Sequence, residues 1–288
     1  MAQTRARLHD GTTIPLHVAG SGPHVLLPVR HDPQDDATAA SMRAWGADPD
    51  VGPTLIRGLS GAFTVVAADY EACRMASPAP STLTAENLAA DLLAIADAAG
   101  APRFAWYGYS WLALAGLQLA LRTDRLWALA MGGFPPVDGP YAPMLAVTRA
   151  AHTAAAAGGG APSEAAEVEP GDWSSVGVQA SEAQTRQFVT LYESLQGFDD
   201  AAALTALGIP RLCFAGSEDR IEYGAGWGDT TVRIGEPLAR RRDDLERAGW
   251  DVRLLPGLDH LSAMRGDVVL PLLAGWLAGQ RAGADARP

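Results

Sequence analysis

The stretch from Arg103 to Met131 constrains this chain most. Arg103–Gly108 is a short apolar run, Trp111–Arg122 is apolar around almost its whole circumference, and Leu126–Met131 is a second apolar run. Two strands joined by a helix of that length lie parallel, with the helix crossing over the sheet. Strands buried on both faces lose the polar/apolar alternation of a half-exposed strand, as these runs do.

The same alternation extends to either side. Ile14–Val18, His24–Val29 and Phe63–Ala68 read as strands, with a helix-compatible crossing at Ser41–Gly61. Thr84 is an N-cap for a helix with Leu88, Leu92, Ile95 and Ala99 on one face, closed by Gly100 and Pro102. Later come a strand at Arg211–Ala215, a helix at Pro237–Ala248, a strand at Asp251–Leu255 and a last helix to Gly279. This order predicts the α/β class, with a mostly parallel, doubly wound sheet. From Val137 to Leu207 the chain turns rich in Ala, Gly, Ser and Glu, with an Ala/Gly run at Ala154–Ala161, a helical piece at Ala183–Leu195 and no strand. The expected organisation is a core over residues 1–136, a mobile helical cap over 137–207, a second core section over 208–280 and a frayed tail over 281–288.

At 288 residues and 48% hydrophobic composition, one large α/β domain with an insertion fits better than two domains. The net charge of −11 repels phosphate backbones and anionic lipid heads, so a small molecule is the expected partner, and neither nucleic acid nor membrane. Met1–Gly20 lacks the basic start and apolar run of a signal peptide, and the expected address is cytoplasmic. The two cysteines, Cys73 and Cys213, form no CxxC pair and sit at no metal-ligand spacing; Cys213 reads as core filling.

The chemistry starts at Ser110. In Trp106-Tyr107-Gly108-Tyr109-Ser110-Trp111, a strand runs straight into a helix. The connecting residue is forced into a strained, exposed conformation, and a glycine two places earlier lets the elements cross. An ordinary N-cap serine is the competing reading. A serine nucleophile needs a base, and His260 is the histidine that follows the last strand, at the edge where open α/β sheets place their sites. His31, after an early strand, is its rival. His9, His17 and His24 read as surface or packing residues, and His152 has no partner in view. A carboxylate should orient the imidazole. Asp219, in the turn Gly216-Ser217-Glu218-Asp219, is first choice, with Glu218 and Asp138 as alternatives and Asp259 as a loop-structuring residue. Ser110, Asp219 and His260 each follow a successive strand.

Through Gly108-Tyr109-Ser110, the turn Gly216 to Asp219 and the loop Gly257-Leu258-Asp259-His260, the chain resembles the α/β-hydrolase superfamily over nearly its whole length. The resemblance implies an eight-stranded sheet, a helical cap, and hydrolysis of an ester, lactone or thioester without a cofactor. Three positions depart from the family pattern. Leu112 replaces a glycine two residues after the serine, Pro28-Val29 replaces His-Gly, and Asp69-Tyr70-Glu71-Ala72-Cys73-Arg74 replaces an Arg-Gly-x-Gly stretch. The oxyanion donors are then the backbone N–H groups of Trp111 and Arg30. His31, Tyr109, Phe134, Trp173 and Trp227 are candidate substrate-binding residues. Trp45, Trp111 and Tyr141 are further apolar lining candidates, and Gly224–Gly228 reads as a flexible gating loop. Dehalogenase and epoxide-hydrolase relatives carry aspartate where this chain has Ser110, so the resemblance points away from those reactions. A lyase, C–C hydrolase or cyclase on the same residues, or a small-ligand-binding protein, are the competing functions.

Overall fold

A computed structural model describes residues 4–158, 172–173 and 178–284. In chain order, β1 (Arg5–Arg7) and β2 (Thr13–Pro15) precede β3 (His17–Gly20) and β4 (His24–Leu27). Helices α1 (Asp36–Ala44) and α2 (Val51–Leu59) lead to β5 (Thr64–Ala67); α3 (Tyr70–Ala76) and α4 (Ala85–Ala98) lead to β6 (Phe104–Tyr109). Helix α5 (Trp111–Ala120) joins β6 to β7 (Leu126–Gly132). Then follow α6 (Tyr141–Ala156), α7 (Glu182–Ser194), α8 (Asp200–Ala206) and β8 (Arg211–Gly216). The chain ends with β9 (Arg220–Glu222), β10 (Thr231–Arg233), α9 (Gly235–Arg240), α10 (Arg242–Arg247), β11 (Trp250–Leu255) and α11 (Gly266–Ala284).

Seven strands form the central sheet in the order β11-β8-β7-β6-β4-β5-β3. All neighbours are parallel except β3, which runs antiparallel to β5 at the edge. The order reverses between β4 and β6, which opens a crevice at their carboxyl ends. The doubly wound, mostly parallel sheet is the predicted one. The expected eighth strand is missing among the described residues, because β1 and β2 close a hairpin of their own. Its turn passes through Gly11 at φ +86°, and Pro15 has no N–H with which to extend a ladder.

Pleating assigns Phe104 and Trp106 to one face of the sheet and Ala105, Tyr107 and Tyr109 to the other. Both faces are covered, so all of β6 and β7 is buried. Helix α5 is buried from Leu112 to Ala120, which explains its apolar circumference. Each of its buried leucines contributes about 1.5–3 kcal/mol relative to an exposed one. The Thr84 hydroxyl accepts from the Asn87 N–H at 3.2 Å, capping α4 as predicted.

Three predicted elements change shape. The Ser41–Gly61 crossing is two helices, separated by Gly46 at φ +89° and by Pro49. Pro237–Ala248 is also two helices, meeting at Arg241. Helix α11 runs to Ala284, beyond the predicted start of fraying, because Leu273 and Leu277 anchor it in the core and its alanines favour helix; residues 285–288 lie outside the described ones. Between β7 and β8 the described residues hold three helices and no strand. Residues 159–161 of the Ala/Gly run lie outside the described residues.

Helix α7 is pinned along the α3–α4 connection. Gln187, fully buried, donates to the Arg74 carbonyl and accepts from the Ala79 N–H, both at 3.2 Å. Gln184 donates to the Met75 carbonyl at 2.6 Å and Thr190 to the Pro80 carbonyl at 2.6 Å. Helix α6 is tied to α7 by Arg149 with Glu193 and by His152, whose ring nitrogen lies 3.2 Å from the Thr185 hydroxyl. His152 thus has the partner that the sequence did not reveal.

Candidate active site

Ser110 stands where β6 becomes α5, with φ +56° and ψ −132°. A non-glycine residue there costs about 1–3 kcal/mol, and it persists where the surroundings over-determine it. Its N–H donates to the Gly132 carbonyl at 2.8 Å and its carbonyl accepts from Ala113 at 2.9 Å. Strand and helix cross closely: a Cβ on Gly108 would lie 2.2 Å from the Leu112 carbonyl oxygen, and one on Gly116 would lie 2.3 Å from the Trp106 ring. Gly116, one turn further on, thus lets the Trp106 ring lie against the helix. The Ser110 side chain makes no cap hydrogen bond, so the hydroxyl does no work in starting the helix.

The imidazole and the carboxylate are brought together from two other strand ends. His260 Nδ1 lies 2.9 and 3.1 Å from the two carboxylate oxygens of Asp219, whose side chain is fully buried. Asp219 follows β8 and His260 follows β11, which are parallel neighbours. Their loops are laced together: the Glu218 N–H donates to the Leu258 carbonyl at 3.0 Å, and the Gly257 N–H to the Ser217 hydroxyl at 2.8 Å. A Cβ on Gly216 would lie 1.9 Å from the Leu258 carbonyl oxygen. Gly216→Ala is therefore expected to push the histidine loop outward and cost at least about a hundredfold in turnover, the scale of a 1 Å misplacement. Circular dichroism should show the sheet retained; wild-type turnover would refute this.

Tyr109 links the serine corner to the imidazole. Its hydroxyl donates to the His260 carbonyl at 2.8 Å, and its ring lies 5.1 Å from the imidazole. Gly133, at φ +62°, leaves room for both rings; a Cβ there would meet Tyr109 at 2.6 Å and His260 at 3.0 Å. Burial pushes the Tyr109 hydroxyl well above its ordinary range, with Asp219 adding to the effect, so it stays a neutral donor. His260 Nε2 makes no hydrogen bond among the described residues.

The alternative groups lie elsewhere. Asp138 binds Arg240 and Arg241 at 2.9 and 2.8 Å, and these guanidinium groups hold its carboxyl below the usual range. Glu218 is exposed. Asp259 binds the Ser262 N–H and hydroxyl within its own loop. His31 stacks on His17 of the edge strand β3 at 4.9 Å and pairs with Asp32. The backbone of Arg30 packs against Gly52, where a Cβ would lie 1.8 Å from its carbonyl oxygen. Trp111 N–H belongs to the first turn of α5, which has no partners within the helix.

The aromatic candidates separate into groups. Phe134 is buried in a ring chain with Tyr141 and Phe198, at 5.6 and 5.7 Å. Trp45, Trp173, Tyr223 and Trp227 form a second chain at 5.6, 6.0 and 5.8 Å. Tyr223, which the sequence reading passed over, has its hydroxyl pushed up to about 12, first by burial and then by Asp219. Gly224–Gly228, read as a flexible gate, folds as a 3-10 turn against α6, where a Cβ on Gly228 would lie 3.0 Å from Ala150. Trp111 meets Tyr70 at 6.1 Å and Phe188 of α7 at 5.2 Å. Phe188 too went unremarked, although a lone phenylalanine in a polar helix is a signal. A surface groove of about 670 Å³ beside α1, α2 and α11 includes none of residues 110, 219 or 260 in its lining.

No protein-family model matches the chain, and no curated protein matches it. Solved structures do. A thermophilic esterase from Thermogutta terrifontis is 18% identical over 98% of this chain and 100% of its own, with a TM-score of 0.62. The enol-lactonase from Burkholderia xenovorans LB400 is 19% identical over 95% of this chain and 99% of its own, with a TM-score of 0.60. Epoxide hydrolase A from Mycobacterium thermoresistibile is 20% identical over 96% and 98%, with a TM-score of 0.57. With its switch-point sheet and the corner at Ser110, the chain has the α/β-hydrolase fold.

Proposed function

We propose that the protein is a serine hydrolase that cleaves a carboxylic ester, lactone or thioester of a small molecule through an acyl-enzyme on Ser110. The observation that carries this reading is a hydroxyl held at a strained strand–helix corner with no structural task, joined through Tyr109 to the loop of an imidazole whose Nδ1 is held by a buried carboxylate. His260 Nε2 takes the Ser110 proton as the oxygen attacks the acyl carbonyl. The N–H groups of Trp111 and Arg30 receive the oxyanion; one such donor is worth roughly 3–4 kcal/mol. The tetrahedral intermediate collapses, His260 protonates the leaving group, and water then repeats the sequence on the acyl-enzyme. Asp219 keeps the proton of the neutral imidazole on Nδ1 and stabilises the imidazolium. The 137–207 section acts as a helical cap, and the substrate lies between it and the sheet. A cytoplasmic setting accords with two unpaired thiols, Cys73 and Cys213.

Structural neighbours described as an esterase and an enol-lactonase support acyl chemistry. The epoxide-hydrolase neighbours share the fold, while serine at 110 favours acyl transfer. A fluorophosphonate probe is expected to label the wild type, with the adduct mapping to the peptide that contains Ser110. In water enriched in heavy oxygen, the label should enter the acid product of each ester, lactone or thioester consumed. An adduct on another residue, or product acid without the label, would overturn the proposal.

A further inference from the structure

A second hydroxyl–imidazole–carboxylate relay lies outside the Ser110 site. Thr82, in the α3–α4 connection, has its hydroxyl 2.9 Å from His9 Nε2, and His9 Nδ1 lies 3.0 Å from both carboxylate oxygens of Asp91. Three separate segments supply the members: the β1–β2 turn, the turn before α4, and α4 itself. Asp91 is fully buried and also accepts from the His9 N–H and the Tyr70 hydroxyl, each at 2.6 Å. An ionised carboxylate only accepts, so the ring proton sits on Nδ1 and Nε2 is left as the acceptor facing Thr82. Thr82 is exposed, and its hydroxyl makes no other hydrogen bond among the described residues. Its backbone is held in place. The Thr82 N–H donates to the Ala79 carbonyl at 3.2 Å, and its carbonyl accepts from the Thr84 N–H at 2.8 Å and the Asn87 side-chain amide at 2.9 Å. The bonds to Asp91 alone would anchor the hairpin. The Nε2 contact adds something different, a base directed at a reachable hydroxyl.

We propose that Thr82 is an acyl-acceptor site, modified by small activated acyl donors such as aryl esters and acyl phosphates. This goes beyond the Ser110 reading and does not depend on it. Thr82 Oγ attacks the acyl carbon while His9 Nε2 takes its proton. The bond to the aryloxide or phosphate then breaks, and His9 returns the proton to that departing oxygen. Asp91 stabilises the transient imidazolium. At an exposed hydroxyl the oxyanion is met by water, so the donor must carry a good leaving group. The product is a threonine ester, whose alkoxide leaves poorly, so the site is acylated once and does not turn over. A secondary hydroxyl attacks a planar acyl carbon more readily than a crowded tetrahedral phosphorus, so a fluorophosphonate adduct stays on Ser110.

The test is acetylation of Ser110→Ala by p-nitrophenyl acetate, with the acetyl group located by peptide mass spectrometry. The side-chain amines that usually consume such a reagent are absent, since the sequence contains no lysine. Thr13 serves as an internal control: it is exposed, and its hydroxyl lies beside Arg5 instead of a histidine. Thr82 is expected to be acetylated at least about a hundredfold faster than Thr13, the lower end of what a positioned base contributes. Added to Ser110→Ala, Thr82→Val should abolish that adduct and Thr82→Ser should keep it. His9→Gln should slow acetylation of Thr82 to the Thr13 rate. Equal rates at Thr82 and Thr13, which need no further variant to measure, would overturn the proposal. So would an unchanged Thr82 rate in His9→Gln with the fold retained by circular dichroism. Because every protein tested lacks the Ser110 hydroxyl, failure here leaves the hydrolase reading standing, and acetylation of Thr82 lends it no support.

Discussion

Ser110→Ala is expected to lower kcat by about 10⁶-fold on any ester the protein turns over, the scale seen when a triad nucleophile is removed. Asp219→Asn should cost about 10⁴-fold. The two losses have different causes. Alanine removes the attacking oxygen. Asparagine keeps the shape but presents an amide to Nδ1, and an amide nitrogen donating there forces the imidazole proton onto Nε2. Nε2, the proposed base, then cannot accept a proton. The Asp219 carboxylate is fully buried and lies 2.9 Å from Nδ1, so no water can take its place. Asp138→Asn is the informative control. Its partners are Arg240 and Arg241, and kcat should stay within a few fold. Steady-state kinetics on the three variants decides the matter. Loss in Asp138→Asn with retention in Asp219→Asn would reassign the acid.

The second large effect concerns stability. Asp91, fully buried on α4, accepts from the His9 N–H at 2.6 Å and the Tyr70 hydroxyl at 2.6 Å, and lies 3.0 Å from His9 Nδ1. Arg74, also fully buried, lies 3.6 Å away and binds Asp10 at 2.6 Å. These contacts fasten the β1–β2 hairpin to α3 and α4. Asp91→Ala leaves the Tyr70 hydroxyl and the His9 N–H without their acceptor and Arg74 with Asp10 alone, and each buried donor left unsatisfied costs about 1–3 kcal/mol. Urea unfolding should show it as a lowered midpoint with an unchanged slope. A loss under about 1 kcal/mol, the scale of an exposed pair, would mean water reaches the cluster.

Acid sensitivity follows from the same cluster. Burial raises the Asp10 carboxyl, but the Arg74 hydrogen bond and the Thr12 N–H outweigh it, leaving its pKa well below the usual range. A carboxyl depressed on folding contributes stability above its unfolded pKa of about 3.9. That contribution should therefore be intact at neutral pH and disappear only below about pH 4.

Much of this molecule can be read from local pattern. Apolar runs of strand length, the Thr84 cap and the glycine before Ser110 predict the sheet and its sharp corner, because each depends on neighbours only a few residues away. The Arg103–Met131 unit therefore needed no revision. The hairpin that keeps β1 and β2 out of the central sheet was less legible, since whether a strand joins an edge depends on which partners reach it. The aromatic residues divided for the same reason. Composition marks Phe134 and Trp173 alike, yet one lies in a buried ring chain and the other is only partly buried, between Trp45 and Tyr223.

By itself the sequence determined the fold class, the strained serine corner and the strand ends that carry Ser110, Asp219 and His260. The tertiary structure alone decided which carboxylate meets the imidazole and that Tyr109 joins the serine corner to the histidine loop. The reason is physical: periodicity and capping act over a few residues, whereas desolvation and hydrogen bonding between distant segments depend on how the sheet stacks its loops.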